Sequence, residues 1–120
     1  MALVSGAGLG SLVLGSADPE RLAAWYQSAF APDEQLPDLV LQLAQGLLIF
    51  EARDDVAEHT VEPGRIIINI AVQDMDILAA HLESLEGLEW VRPVETIPVG
   101  RIATLKDADG NFVNVIQLNG

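Results

Sequence analysis

Two apolar stretches in this chain each run into an aspartate-led helix start, and they lie about half a chain length apart. The first is Leu9 to Leu14, followed by Asp18-Pro19-Glu20; the second is Arg65 to Gln73, followed by Asp74. Aspartate caps a helix because its carboxylate accepts N–H groups that the first turn leaves unpaired. Pro19 suits the first helical position, and Glu20 favours the positive end of the helix dipole. Leu22, Trp25, Tyr26, Ala29 and Phe30 then recur at helical spacing until Pro32 ends the run. Met75, Leu78, Leu82 and Leu85 repeat that pattern after Asp74, and Gly87 marks the stop.

Strand-like runs follow each helix. Leu39 to Leu43 and Leu47 to Ala52 are joined by a turn around Gln45-Gly46, while a strand ahead of them is only weakly written. Glu89 to Glu95, Gly100 to Lys106 and Phe112 to Leu118 follow the second helix. Asp109-Gly110 is a hairpin signal between the last two, since glycine takes positive φ without a Cβ clash. In Arg65 to Gln73, Ile66, Ile68, Ile70 and Val72 share one face, and Ile67, Asn69 and Ala71 share the other. The predicted order is strand, helix, three strands, written twice. Such a repeat constrains the fold more than any single element and divides a single domain into modules 1–60 and 61–120.

Charge narrows the function. Eighteen acidic against six basic residues give a formal net charge of −12. Phosphate backbones and anionic lipid surfaces would be repelled, so neither nucleic acid nor membrane is an expected partner. With no cysteine, disulfides, zinc–thiolate sites and thiol nucleophiles are ruled out. Met1 to Ala17 is uncharged but lacks a basic start and is broken by four glycines, unlike a secretory leader. Leu39 to Phe50 is uncharged but only 12 residues long, too short for a span. A cytoplasmic protein is the expectation.

Three segments carry a family resemblance. They are Leu12-Val13-Leu14 with Asp18-Pro19-Glu20-Arg21 and Trp25-Tyr26; Ile68-Asn69-Ile70-Ala71-Val72 with Asp74-Met75-Asp76; and Leu105-Lys106-Asp107-Ala108-Asp109-Gly110-Asn111 with Val113. Their order and spacing resemble the vicinal oxygen chelate superfamily, which includes glyoxalase I, extradiol dioxygenases and bleomycin-resistance proteins. Ala108 stands where that family's closing turn usually has proline. The resemblance implies an α+β fold of two βαβββ modules, whose curved mixed sheets surround a cleft. It also implies pairing as a homodimer.

In metal-dependent members of that superfamily, four ligands point into the cleft. The corresponding positions here are Ser11, Ile67, Asn114 and either Phe50 or Glu51. A catalytic divalent ion needs two or three strong His or carboxylate donors. Ile67 donates nothing, Ser11 and Asn114 are weak neutral ligands, and only Glu51 carries a charge. No cofactor is therefore expected, with a divalent metal as the alternative. His59, in a polar loop, and His81, on a helix, match no ligand position. None of Ser5, Ser11, Ser16, Ser28 and Ser84 has a histidine placed by sequence to activate it. Asp54-Asp55 and Asp107/Asp109 are paired carboxylates, but they read as solvated loops and turns. Gly6-Ala7-Gly8-Leu9-Gly10 lacks the preceding strand and following helix of a phosphate loop.

The residues left to line the cleft are Ser11, Val13, Phe50, Ile67, Asn69, Trp90, Phe112 and Asn114. They are mostly apolar with a few neutral hydrogen-bonding groups, as in a small-molecule pocket. The resulting expectation is a metal-independent protein that binds a small organic compound, cationic or aromatic. The alternative is a divergent metal-dependent lyase, isomerase or dioxygenase.

Overall fold

The computed structural model describes residues 6–120. Ser5 and the start of the uncharged run from Met1 to Ala17 lie outside the described residues. Seven strands and two helices follow in the order β1 (Ser11–Ser16), α1 (Pro19–Phe30), β2 (Val40–Gln42), β3 (Leu47–Ala52), β4 (Ile68–Ala71), α2 (Met75–Glu83), β5 (Glu89–Ile97), β6 (Gly100–Lys106) and β7 (Phe112–Leu118).

They build two mixed sheets, β1-β3-β2 and β4-β7-β6-β5. In each sheet the strand before the helix runs parallel to the last strand of its half, with antiparallel neighbours beyond. The second sheet therefore follows the expected pattern in full. The first has three strands, not four, and corrects the expectation of three strands after α1. Pro32 and Pro37 fall in the gap, and residues 33–38 are mostly charged, polar or proline, so no strand pattern is available there. Leu39 enters β2 at φ 56°, a conformation costly for leucine. Its N–H donates to Leu36 O and its carbonyl accepts from Phe50 N, which hold it there.

Both helices start as their sequences require. Asp18 Oδ1 accepts from Arg21 N at 3.1 Å, and Asp74 Oδ1 accepts from Ile77 N at 3.1 Å. Both helices pack on one face of the sheets. Leu22, Tyr26 and Ala29 of α1, with Leu41, Leu48 and Phe50, join Met75, Leu82, Leu105, Val113 and Val115 in one continuous core. Alternation then forces the partners of these residues, such as Val13 and Asn69, onto the opposite face of each sheet, which stays open.

The two halves are latched by the β6–β7 turn. Tyr26 Oη donates to Asp107 Oδ2 at 2.7 Å, and Arg21 Nη2 donates to Asp109 Oδ1 at 2.9 Å. Asp107 Oδ1 also accepts from Asp109 N and Asn111 N, closing the turn on itself. These two acids are only 5% exposed each, which corrects their reading as solvated turn residues. Burial pushes the Asp107 carboxyl upward, against hydrogen bonds from Asn111 and Tyr26 that pull it down. Burial and the Asp107 charge raise the Tyr26 phenol, so it stays a donor. His81 lies in the last turn of α2, as expected of a helix residue, and its Nε2 sits 2.7 Å from Ser28 O, bridging α2 to α1. Among the described residues, no helix is long and apolar enough to cross a membrane.

Candidate functional site

The open faces of the two sheets carry most of the residues singled out by sequence. On the first sheet, Ser11 and Val13 lie outward, and β1–β3 register places them beside Leu47 and Ile49. Val13 is 54% exposed. Glu51 shares this face, beside Gly15. Phe50 does not. It is 3% exposed, on the core face, with its ring 5.4 Å from Tyr26. The phase of β3 thus puts Glu51 outward and Phe50 inward.

On the second sheet, Asn69 of β4 and Asn114 of β7 are direct neighbours, and Thr104 of β6 is the next. Thr104 Oγ1 donates to Asn114 Oδ1 at 2.6 Å, and Asn114 Nδ2 donates to Asn69 Oδ1 at 2.8 Å. Three strands are thereby tied by one line of side-chain bonds across the open face. Ile102, Ala71 and Ile116 lie on one side of the line; Phe112 and Lys106 lie on the other. Ile67 precedes β4 and stands exposed outside its ladder. Trp90 faces the other way, opposite buried Leu105 and packed against the core. The structure thus groups Ser11 with Val13, and Asn69 with Asn114 and Phe112, on two separate sheets. Phe50 and Trp90 serve the core instead.

Thr104 was missed by sequence reading. Its signal was its place two residues from Lys106 in an alternating strand, which puts it on the face of Asn114 once β6 and β7 are paired. Arg53 was missed as well. Its side chain lies across Gly15, where an added Cβ would come within 2.5 Å of Arg53 Cδ. Its guanidinium donates to Asp55 at 2.8 and 2.7 Å and to Glu51 at 3.1 Å. Asp55 foremost, then Glu51, holds Arg53 ionised. The one acid at an outward ligand position is therefore already paired with a cation.

The donor set does not fit a divalent metal. Ser11 pairs with Leu47 while Glu51 pairs with Gly15. Four residues of strand separate the two donors, about 13 Å at ~3.3 Å per residue. Ion–oxygen distances are about 2.0–2.6 Å, so one ion cannot reach both. Asn69 and Asn114 offer only neutral amides, and their facing atoms bond to each other. Among the described residues, no three His, Cys, Asp or Glu side chains gather at one point.

A separate groove of about 650 Å³ lies between α1 and residues 32–39, lined by Ala23, Ala24, Leu36 and Leu39 with Glu20 and Glu34 at its rim. It lies beside the place where the first sheet lacks its fourth strand. None of the eight cleft residues named from sequence lines it.

No family model matches the chain, and no curated protein is similar to it in sequence. Solved structures are similar in fold. A glyoxylase/bleomycin resistance protein/dioxygenase domain from Frankia sp. EAN1pec superposes with a TM-score of 0.73 at 17% identity, over 96% of this chain and 100% of that one. The chain has the vicinal oxygen chelate fold. A glyoxalase/bleomycin resistance protein/dioxygenase from Nocardioides gives 0.71 at 15% identity, covering 96% of this chain and 85% of that one. TnmS3, an antibiotic binding protein from Streptomyces sp. CB03234, gives 0.69 at 20% identity, with 97% and 99% covered. That shared fold accounts for the paired mixed sheets.

Proposed function

We propose that this chain is a metal-independent small-molecule-binding protein, which holds a small cationic or aromatic organic compound against the open faces of its sheets. The observation that carries this reading is the makeup of those faces. They combine exposed apolar side chains with neutral amide and hydroxyl groups, and their donors are placed wrongly for a divalent ion. The fold similarity to an antibiotic binding protein supports the same class of activity. A charge of −12 favours a cationic compound through long-range attraction.

The acting species is a homodimer. Val13 and Val91 on the strands and Ile67 just before β4 are 54%, 42% and 37% exposed, a sizeable outlay of apolar surface. A second copy of the chain covers such surface and supplies the facing wall of a cleft.

A thermal-shift screen of divalent metals and of small cationic and aromatic compounds tests the reading. Compounds raise the melting temperature and metals leave it unchanged. Stoichiometric metal in the purified protein, lost to chelator together with stability, would overturn it.

A further inference from the structure

The line of bonds across β6, β7 and β4 has a direction. Thr104 donates to Asn114, and Asn114 donates to Asn69. This order gives the hydroxyl proton of Thr104, only 7% exposed, its acceptor. The reverse order would strip that buried proton of its partner, a costly arrangement. The line therefore ends at the exposed residue, Asn69, whose Oδ1 is occupied and whose Nδ2 protons meet no acceptor among the described residues. Hydrogen bonds in a chain polarise one another, so the terminal N–H group is the strengthened one. Apolar Ala71 and Ile116 lie beside it, on the next rung of the same face.

We propose that Asn69 Nδ2 is the donor that reads a carbonyl oxygen on the bound compound, with Asn114 and Thr104 as positioning residues behind it. This rests on the binding reading above and names its ligand class: an aromatic or apolar body bearing a carbonyl. Asn114 fixes the rotation of the Asn69 amide, so that its N–H groups, not its carbonyl, face outward. Thr104 fixes Asn114 in turn. An ether or amine of the same shape gains nothing at this point, since the first accepts weakly and the second brings its own protons.

The test uses the full chain and two probes of one shape. One is a 2-acylnaphthalene with a trimethylammonium tail. The other is the matching 2-alkylnaphthalene, in which hydrogens replace the carbonyl oxygen. Titration calorimetry gives the ratio of the two Kd values, which cancels any effect on the shared tail. The wild type prefers the ketone by about fivefold, the worth of one net hydrogen bond. Asn69→Asp and Asn69→Leu bring the ratio to about one. Thr104→Val, distant from the probe, lowers it, and Thr104→Ser restores it. In the wild type, the Asn69 side-chain amide protons move downfield in NMR spectra with the ketone and not with the hydrocarbon, a readout that needs no variant to fold. A ratio unchanged in both Asn69 variants, with both probes still bound, overturns the assignment and leaves the binding reading standing. If neither probe binds the wild type, the assignment falls together with the aromatic-cation reading.

Discussion

Tyr26 and Asp107, 81 positions apart in sequence, meet in a buried 2.7 Å hydrogen bond that ties the first helix to the last turn. The phenol is fully buried and its partner nearly so. Removing the donor leaves a buried carboxylate one bond short, which costs about 1–3 kcal/mol. Tyr26→Phe keeps the ring contacts with Trp25 and Phe50 and deletes only the hydroxyl. Urea denaturation is expected to show a loss in that range. A loss under about 0.5 kcal/mol would show that this hydroxyl adds little to the latch beyond the ring packing and the Arg21–Asp109 pair.

Asp107 makes the same latch sensitive to pH. Burial raises its pKa in the folded chain above its unfolded value. The folded state therefore binds that proton more tightly. Its contribution to stability is full below the unfolded value, near 3.8, and is lost as pH rises through the raised folded value. Asp107→Asn removes this contribution. The stability gap between wild type and variant should widen as pH falls through that window, in denaturation series run from pH 7 downward. A narrowing gap would show that the hydrogen bonds from Asn111 and Tyr26 outweigh burial.

Two glycines separate backbone strain from simple crowding. Gly100 has φ 155°, and a Cβ there would stand 2.0 Å from the Gln117 carbonyl oxygen. Gly46 has φ 89° with open space around it. Gly46→Ala should cost about 1 kcal/mol, the left-handed penalty alone. Gly100→Ala should cost at least twice that, because β6 must part from β7 at its first rung. Thermal melts of the two variants side by side check the ranking.

Electrostatic capture predicts a salt dependence. Affinity for the cationic naphthyl ketone should fall as sodium chloride rises from 20 to 500 mM, since screening shortens the reach of surface charge. Affinity that does not change with salt would mean the charge of −12 serves solubility alone.

Light scattering at micromolar concentration should give about twice the 12.9 kDa chain mass. A monomer mass would leave Val13, Ile67 and Val91 uncovered and remove the second wall from the proposed cleft.

Much of the fold was legible because local chemistry and pattern agreed. Asp18 and Asp74 cap the helices they were expected to cap, and β3, β6 and β7 span the strand-like runs that the turn signals set apart. The site was less legible because it depends on phase and register. Phe50 and Glu51 are adjacent in sequence but face opposite sides, and only the pairing with β1 decides which faces outward. Trp90 went to the core because its strand pairs it with Leu105. Asn69 was named from sequence, but its alignment with Asn114 and Thr104 arises only when three strands from distant positions lie side by side. The buried state of Asp107 and Asp109 was hidden for a different reason: a turn sequence looks the same whether water or a tyrosine meets it.

The three-strand first sheet has a consequence for how the chain behaves among its own copies. A sheet edge recruits other strands in proportion to the length of unpaired backbone it shows. Here that edge is β2, three residues long, with Pro37 shortly before it and a tight turn at Gly46 shortly after. A foreign strand laid there would find only one or two rungs before the chain turned away. The shortened sheet thus gives up pairing energy within the molecule and gains resistance to runaway fibre growth from that side.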